Sequence, residues 1–255
     1  AVSYPNVHLV PTKSLSIVPG IPIVFIPCSS SSNIAPVSEP FPPITTSESI
    51  SYLSKLVFAF FFSIGAAGLF ALANRVLTMP ANVVSGAFSE VFLSHGVDSY
   101  RADNLSIVYR NLQNALIQIG LPPTLLIILI GPELFTIVFG QTWIDAAVFA
   151  QLLAIGTFFG FVVSPLSQIF TIMEKQKLGL IFQVILFLSR LVGICTGLWL
   201  DEVVLTLALF SIGSVIGYTP YLIAGISLAK VKIKIVIRDI FNAILFSLLL
   251  TFPVI

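Results

Sequence analysis

Charge is what this sequence has least of. Of its 255 residues only 9% are Asp, Glu, Lys or Arg, whereas an ordinary soluble domain carries roughly a quarter. Hydrophobic residues make up 57%, and the mean hydropathy is +1.05. No water-soluble surface can be assembled from so few polar side chains, so the bilayer is the solvent this chain is built for. Histidine is scarce as well: His8 and His95 stand far apart with no Cys or Glu at ligand spacing, and both read as solvent-facing loop residues. The two cysteines, Cys28 beside four serines and Cys195 within an apolar run, have none of the spacings of zinc, redox or disulfide frameworks. There is no Ser-His-Asp set, no cluster of metal ligands and no Gly-rich phosphate loop. We therefore expect no catalytic residue, no metal and no cofactor, and a protein that is not an enzyme. A formal net charge of +1 gives no reason to expect nucleic acid as a partner.

What is abundant is apolar surface, including 22 Phe, a residue that adds apolar area without a polar atom needing a partner in hydrocarbon. It is unevenly spread. Residues 1–48 hold nine of the 16 prolines and the run Ser29–Ser32, and their apolar stretch Leu15–Pro27, broken by Pro19 and Pro22, is shorter than the roughly 20 residues a span needs. This region lacks the basic start of a signal peptide and reads as an irregular leader or a damaged junction. From residue 49 to 255 long apolar runs alternate with short polar breaks, the pattern of successive transmembrane helices. A short segment, Ile50–Ile64, contains Lys55, read as snorkelling to the interface. Spans are then expected at Ala66–Ser94, Leu112–Ile130, Ala146–Met173, Leu178–Leu200, Val203–Ala229 and Ile240–Ile255, with an amphipathic stretch Gly96–Asn111 between the first two. The fold class is all-α polytopic, with about six transmembrane helices. No initiator Met opens the chain and no polar flank closes it, so we expect both ends to be cut.

The few charges segregate. One set of alternate loops holds Arg101 and Arg110, Lys175 and Lys177, then Lys230, Lys232, Lys234 and Arg238; the other holds Glu133, Asp145, Asp201 and Glu202 and no basic residue. By the positive-inside rule the basic set faces the cytoplasm.

Two arginines fall within spans, Arg75 and Arg190. An arginine at the centre of a span costs roughly 2.5 to 3.5 kcal/mol on translocon scales, so each is expected to face the bundle interior or a watery cavity. Two readings stand for each. Either the guanidinium forms an anion site that grips a phosphate with parallel hydrogen bonds, with Asn74 sharing the role, or it snorkels or satisfies carbonyls freed near a kink. No interior carboxylate is expected beside them, since Glu90 and Asp145 lie near helix ends, so the cavity is expected to be cationic and to suit an anionic substrate. Gly156 with Gly160, Gly193 with Gly197 and Gly213 with Gly217 read as close-packing pairs, Gln151, Gln168 and Gln183 as helix-joining side chains, and Pro80, Pro165 and Pro220 as bends.

The stretch Gly65–Phe92, GAAGLFALANRVLTMPANVVSGAFSEVF, resembles the polysaccharide-export flippases of the Wzx or polysaccharide synthase type, in the superfamily of the MATE exporters. Gly68, Phe70, Ala71, Leu72, Ala73, Arg75 and Pro80 carry the likeness. It continues through FGQTW at Phe139–Trp143, PLSQIF from Pro165, the EKQK turn from Glu174 and a span containing Arg190, and it covers about residues 50 to 255.

That resemblance implies a MATE-like helical bundle, here its C-terminal lobe, in the bacterial inner membrane. It implies a multi-pass transporter working by alternating access on undecaprenyl-pyrophosphate-linked oligosaccharides for capsule, O-antigen or exopolysaccharide export. The implied partners are the lipid-linked oligosaccharide, membrane lipids and the polysaccharide polymerase and export machinery, with Arg75, Arg190 and Asn74 lining the substrate cavity. The competing readings are a multidrug or cation exporter of the MATE type, which would want an embedded acid, and an inactive, non-transporting fragment.

Overall fold

A computed structural model describes residues 64–200 and 202–251. Chain contacts divide the protein into residues 1–42 and 43–255, and every described residue lies in the second unit. The Pro/Ser-rich leader, Cys28, Lys55 and all of the expected segment Ile50–Ile64 except its last residue lie outside the described residues.

The described residues form seven α-helices and no strand: α1 (Ile64–Arg101), α2 (Leu105–Phe139), α3 (Ile144–Leu166), α4 (Gln168–Ile172), α5 (Gln176–Trp199), α6 (Val203–Leu228) and α7 (Ile233–Thr251), with a 3-10 turn at Gln141–Trp143 between α2 and α3. Five stretches are long and apolar enough to cross a membrane: α1, α2, α3 with its flanking 3-10 turn and α4, α5 and α6. The chain is an all-α polytopic membrane protein. The sixth expected span corresponds to α7, which carries Lys234, Arg238 and Asp239 within its 19 residues and falls outside those five.

Helix α3 is the centre. It packs against α1, α2 and α6, while α5 pairs with α6 and α7 lies on α2. More than half of its most apolar stretch is buried, and its inward residues Ala146, Ala147, Ala150 and Ala154 are small, which lets three neighbours approach one helix. The outward faces of α5 and α6 are built instead from Val184, Leu188 and Val192 and from Ile212, Ile216 and Ile223, all exposed, as a bilayer contact requires.

Two boundaries differ from the sequence expectation. The amphipathic stretch Gly96–Asn111 is not a separate element: α1 runs on to Arg101 and α2 already begins at Leu105. No proline or glycine interrupts residues 97–101, and the helix stops only where Asp103 turns to φ 57°. At 38 and 35 residues these helices are about 57 and 52 Å long, well beyond a hydrocarbon core of about 30 Å. His95 accordingly sits exposed on a helix rather than in a loop. Helix α7 likewise starts at Ile233, seven residues before the expected Ile240, which brings Asp239 inside a helix. Asp239 pairs there with Arg110, near the basic ends of α7 and α2.

Proline leaves one visible mark. Within α2, Ile130 departs from helical geometry (φ −126°, ψ 26°) just before Pro132, whose ring displaces the carbonyl four residues back. That carbonyl, Ile128 O, accepts a hydrogen bond of 2.9 Å from Gln151 Nε2 on α3. Gln151 thus joins two helices by satisfying the group that a proline sets free. Just past the C-terminal end of α2 the chain turns at Gly140, whose φ of 90° suits glycine, and passes through the QTW turn into α3.

Candidate functional site

Arg190 sits on the face of α5 that carries its buried residues Leu186, Gly193, Ile194 and Gly197. It is partly buried, and its guanidinium points at α6 rather than along the helix toward either interface. Nε donates to Ser214 Oγ at 2.9 Å and Nη2 donates to Tyr218 Oη at 3.0 Å. The guanidinium carbon lies 5.3 Å from the ring centre of Phe210 and 5.2 Å from that of Tyr218. Both are cation–π distances, and Phe210 in turn meets Phe70 of α1 edge-on at 6.5 Å.

The local sequence explains this seat. Helices α5 and α6 approach through two glycine pairs: a Cβ at Gly193 would fall 2.6 Å from Leu209 O, and one at Gly213 would strike the backbone of Ser189. With the backbones this close, Arg190 can reach Ser214 and Tyr218, which flank Gly217 and Gly213 on one side of α6. Ser189 Oγ adds a bond of 2.7 Å to Gly213 O. The pair Gly156 and Gly160 on α3 does a related job, leaving room for Ser211 and Ser214 at the first position and for the Tyr218 hydroxyl at the second. The glycines are packing devices, and what they pack is the arginine's surroundings. Gln183 also joins helices, accepting a bond of 3.0 Å from Tyr221 Oη, while Tyr221 reaches Gly179 O at 2.7 Å.

Every contact holding Arg190 is neutral. Among the described residues no carboxylate pairs with it, the one ion pair being that of Arg110 with Asp239. Of the five N–H donors of a guanidinium two are engaged by Ser214 and Tyr218, so the remainder and the whole positive charge stay available. Counting at 1.5 Å per residue, Arg190 lies roughly 14 Å from the Trp199 end of α5, in the middle part of that helix. Such a group attracts an anion strongly, because little dielectric screening opposes it.

Arg75, on the described part of α1, has different surroundings. It is exposed, and no hydrogen bond, ion pair or ring contact engages its guanidinium among the described residues. It lies on the opposite side of α1 from Leu77 and Ala73, on a face that also carries Gly68, Asn82, Gly86 and Glu90, all exposed. The same face also carries the exposed Met79 and Leu93. Asn74 is partly buried, and its carbonyl accepts a bond of 2.7 Å from Thr78 Oγ1. The three residues singled out from sequence are therefore not gathered into one cluster: Arg190 is seated between α5 and α6, whereas Arg75 and Asn74 belong to α1.

Sequence reading missed the aromatic clamp of Phe210 and Tyr218, for which the signal was available: both lie on the face of α6 that carries Ser211, Ser214 and the glycine pair. A separate apolar cavity of about 160 Å³ lies between α1, α2 and α3, walled by Pro80, Pro123 and Phe161 among others. Its two threonines are already committed, Thr124 to Gly120 O and Thr157 to Leu153 O, so it offers no polar handle. Among the described residues no group of three or more His, Cys, Asp or Glu side chains is placed to hold a metal.

The fold and this seat define a polytopic helical membrane protein with a neutral-walled arginine site in its interior. In comparison with known proteins, residues 44–148 match the family described as polysaccharide biosynthesis protein. The matched segment includes α1, α2 and the FGQTW turn, while the PLSQIF segment, the EKQK turn and Arg190 lie beyond it. No curated protein matches the chain, and no solved structure does.

Proposed function

We propose that this helical bundle takes part in moving undecaprenyl-pyrophosphate-linked oligosaccharide units across the bacterial inner membrane by alternating access, with Arg190 attracting the anionic head of the substrate. The reading is of a transporter and not of an enzyme. The observation that carries it is the guanidinium of Arg190, held in the middle part of α5 by Ser214, Tyr218 and Phe210 with no carboxylate paired to it among the described residues. A cationic drug would be repelled from such a site, which favours the flippase over a multidrug exporter. The family match over residues 44–148 supports the same direction. Arg75, exposed on α1 and without a paired carboxylate among the described residues, is assigned to the same anionic path, reached before or after Arg190.

The test is rescue of lipid-linked glycan export in a flippase-deficient strain, comparing the wild-type protein with Arg190→Ala and Arg190→Lys at equal membrane abundance. Hydrogen bonds to charged groups are worth about 1.5 to 3 kcal/mol, so Arg190→Ala is expected to reduce translocation roughly 10- to 150-fold, with Arg190→Lys between the two. Full rescue by Arg190→Ala would make this arginine structural and remove the main support for the reading.

A further inference from the structure

Near the basic ends of α2 and α7 a second polar cluster lies apart from Arg190. Arg110 of α2 grips Asp239 of α7 with both edges of the ion pair, Nε to Oδ2 at 2.8 Å and Nη2 to Oδ1 at 3.2 Å. Beside the pair is a void of about 10 Å³ lined by Arg110, Gln113, Asn114, Ile117, Val236 and Asp239. That is the scale of one water molecule or one small ion. Two of its lining residues carry side-chain oxygens without a hydrogen-bond partner: Gln113 Oε1 and Asn114 Oδ1 are both buried and unsatisfied, and Gln113 as a whole is only 5% exposed. Buried amide oxygens are ordinarily paired, so two orphans on one void point to something that fills it.

We propose that this void between α2 and α7 is a site for a single monovalent cation, such as sodium, which binds Gln113 Oε1, Asn114 Oδ1 and the Asp239 carboxylate in exchange for the Arg110 guanidinium. The donor set is all hard oxygen, without thiolate or imidazole, which suits alkali rather than transition-metal ions. One carboxylate and two neutral carbonyls balance a single positive charge. A divalent ion would remain undercompensated, and magnesium would also need near-octahedral geometry and its waters. A cation and a guanidinium cannot both sit on one carboxylate at low dielectric. The exposures decide which one moves: the Arg110 side chain is 37% exposed and that of Asp239 only 11%, so the guanidinium has the route out to water while the acid stays. The exchange also changes what fastens α7 to α2, from a side chain of α2 to a bound ion. The site is independent of the substrate assigned to Arg190.

The measurement is equilibrium binding of radioactive sodium to the full chain in nanodiscs, with choline holding the ionic strength constant. Saturable binding is expected, weakened about tenfold by Gln113→Met or Asn114→Leu. Arg110→Gln is expected to bind sodium about tenfold more tightly, because the competing cation is gone and the glutamine brings another oxygen. Misfolding cannot produce tighter binding, so this variant keeps the test decisive. Absence of saturable binding by the wild type, or binding indifferent to both amide substitutions, overturns the proposal and leaves the two oxygens to a fixed water.

Discussion

Two arginines on helices of one bundle are treated in opposite ways. Arg110 on α2 is neutralised by Asp239, with two hydrogen bonds across a contact that spans 129 positions of sequence. Arg190 on α5 is given a hydroxyl, a phenol and two aromatic rings, and no acid. Around Arg110 the amide oxygens of Gln113 and Asn114 are left unsatisfied, whereas around Arg190 the Ser214 hydroxyl also donates to Phe210 O at 2.9 Å. The first arrangement cancels a charge and leaves acceptors open. The second satisfies its acceptors and preserves a charge. A cation kept whole at the centre of a membrane is costly, and what it retains in return is attraction for an anion.

The helix pairs differ in the same sense, and substitutions can break each one separately. Helices α5 and α6 meet backbone to backbone, so Gly193→Leu would drive a side chain into the carbonyl of Leu209, 2.6 Å from where even a Cβ would stand. Overpacking of this kind costs about 1 to 3 kcal/mol, and the upper end is expected here because the obstacle is main chain. Thermal unfolding in detergent, with membrane abundance as a second readout, measures it. Asp239→Ala acts at the other contact. It leaves Arg110 without its carboxylate, but that arginine is partly exposed and can turn to water, so a smaller fall in melting temperature is expected. A fall as large as that of Gly193→Leu would mean that α7 depends on the ion pair far more than its exposure indicates.

Much of this architecture was legible because the bilayer imposes it. Apolar runs of about 20 residues had to be helices, and the alternation of basic and acidic loops had to follow the alternation of helix ends. The inward direction of Arg190 was legible from the cost of the alternative. What escaped depends on pairing at long range. Asp239 falls just before the span expected at Ile240–Ile255, in a run with three lysines and Arg238, and nothing local reveals that Arg110 of α2 will pair with it. The role of Gln151 was visible only as helix joining in general, since its partner, Ile128 O, becomes available through the geometry of Pro132. The continuation of α1 and α2 beyond the hydrocarbon was missed because hydropathy reports where a span ends, and a helix ends elsewhere, at the left-handed Asp103.

The finest test of the comparison is expected to produce only a small change in stability. Arg190→Met removes the charge and keeps most of the volume. No carboxylate is orphaned by it, and Ser214 retains its bond to Phe210 O. The substitution forfeits two hydrogen bonds from a charged donor, about 1.5 kcal/mol each at the low end, and about 0.5 to 1 kcal/mol of stacking on each of Phe210 and Tyr218. It also relieves the roughly 2.5 to 3.5 kcal/mol that an arginine costs at mid-span. These contributions oppose each other, so the unfolding free energy in bicelles is expected to fall by no more than about 2 kcal/mol. Glycan export should nonetheless be lost. Stability preserved while transport fails is the signature of a residue kept for its charge. If Arg190→Met destabilised the fold by more than about 2 kcal/mol, the guanidinium would be mainly a clamp between α5 and α6, and the contrast with Arg110 would reduce to two ways of fastening helices.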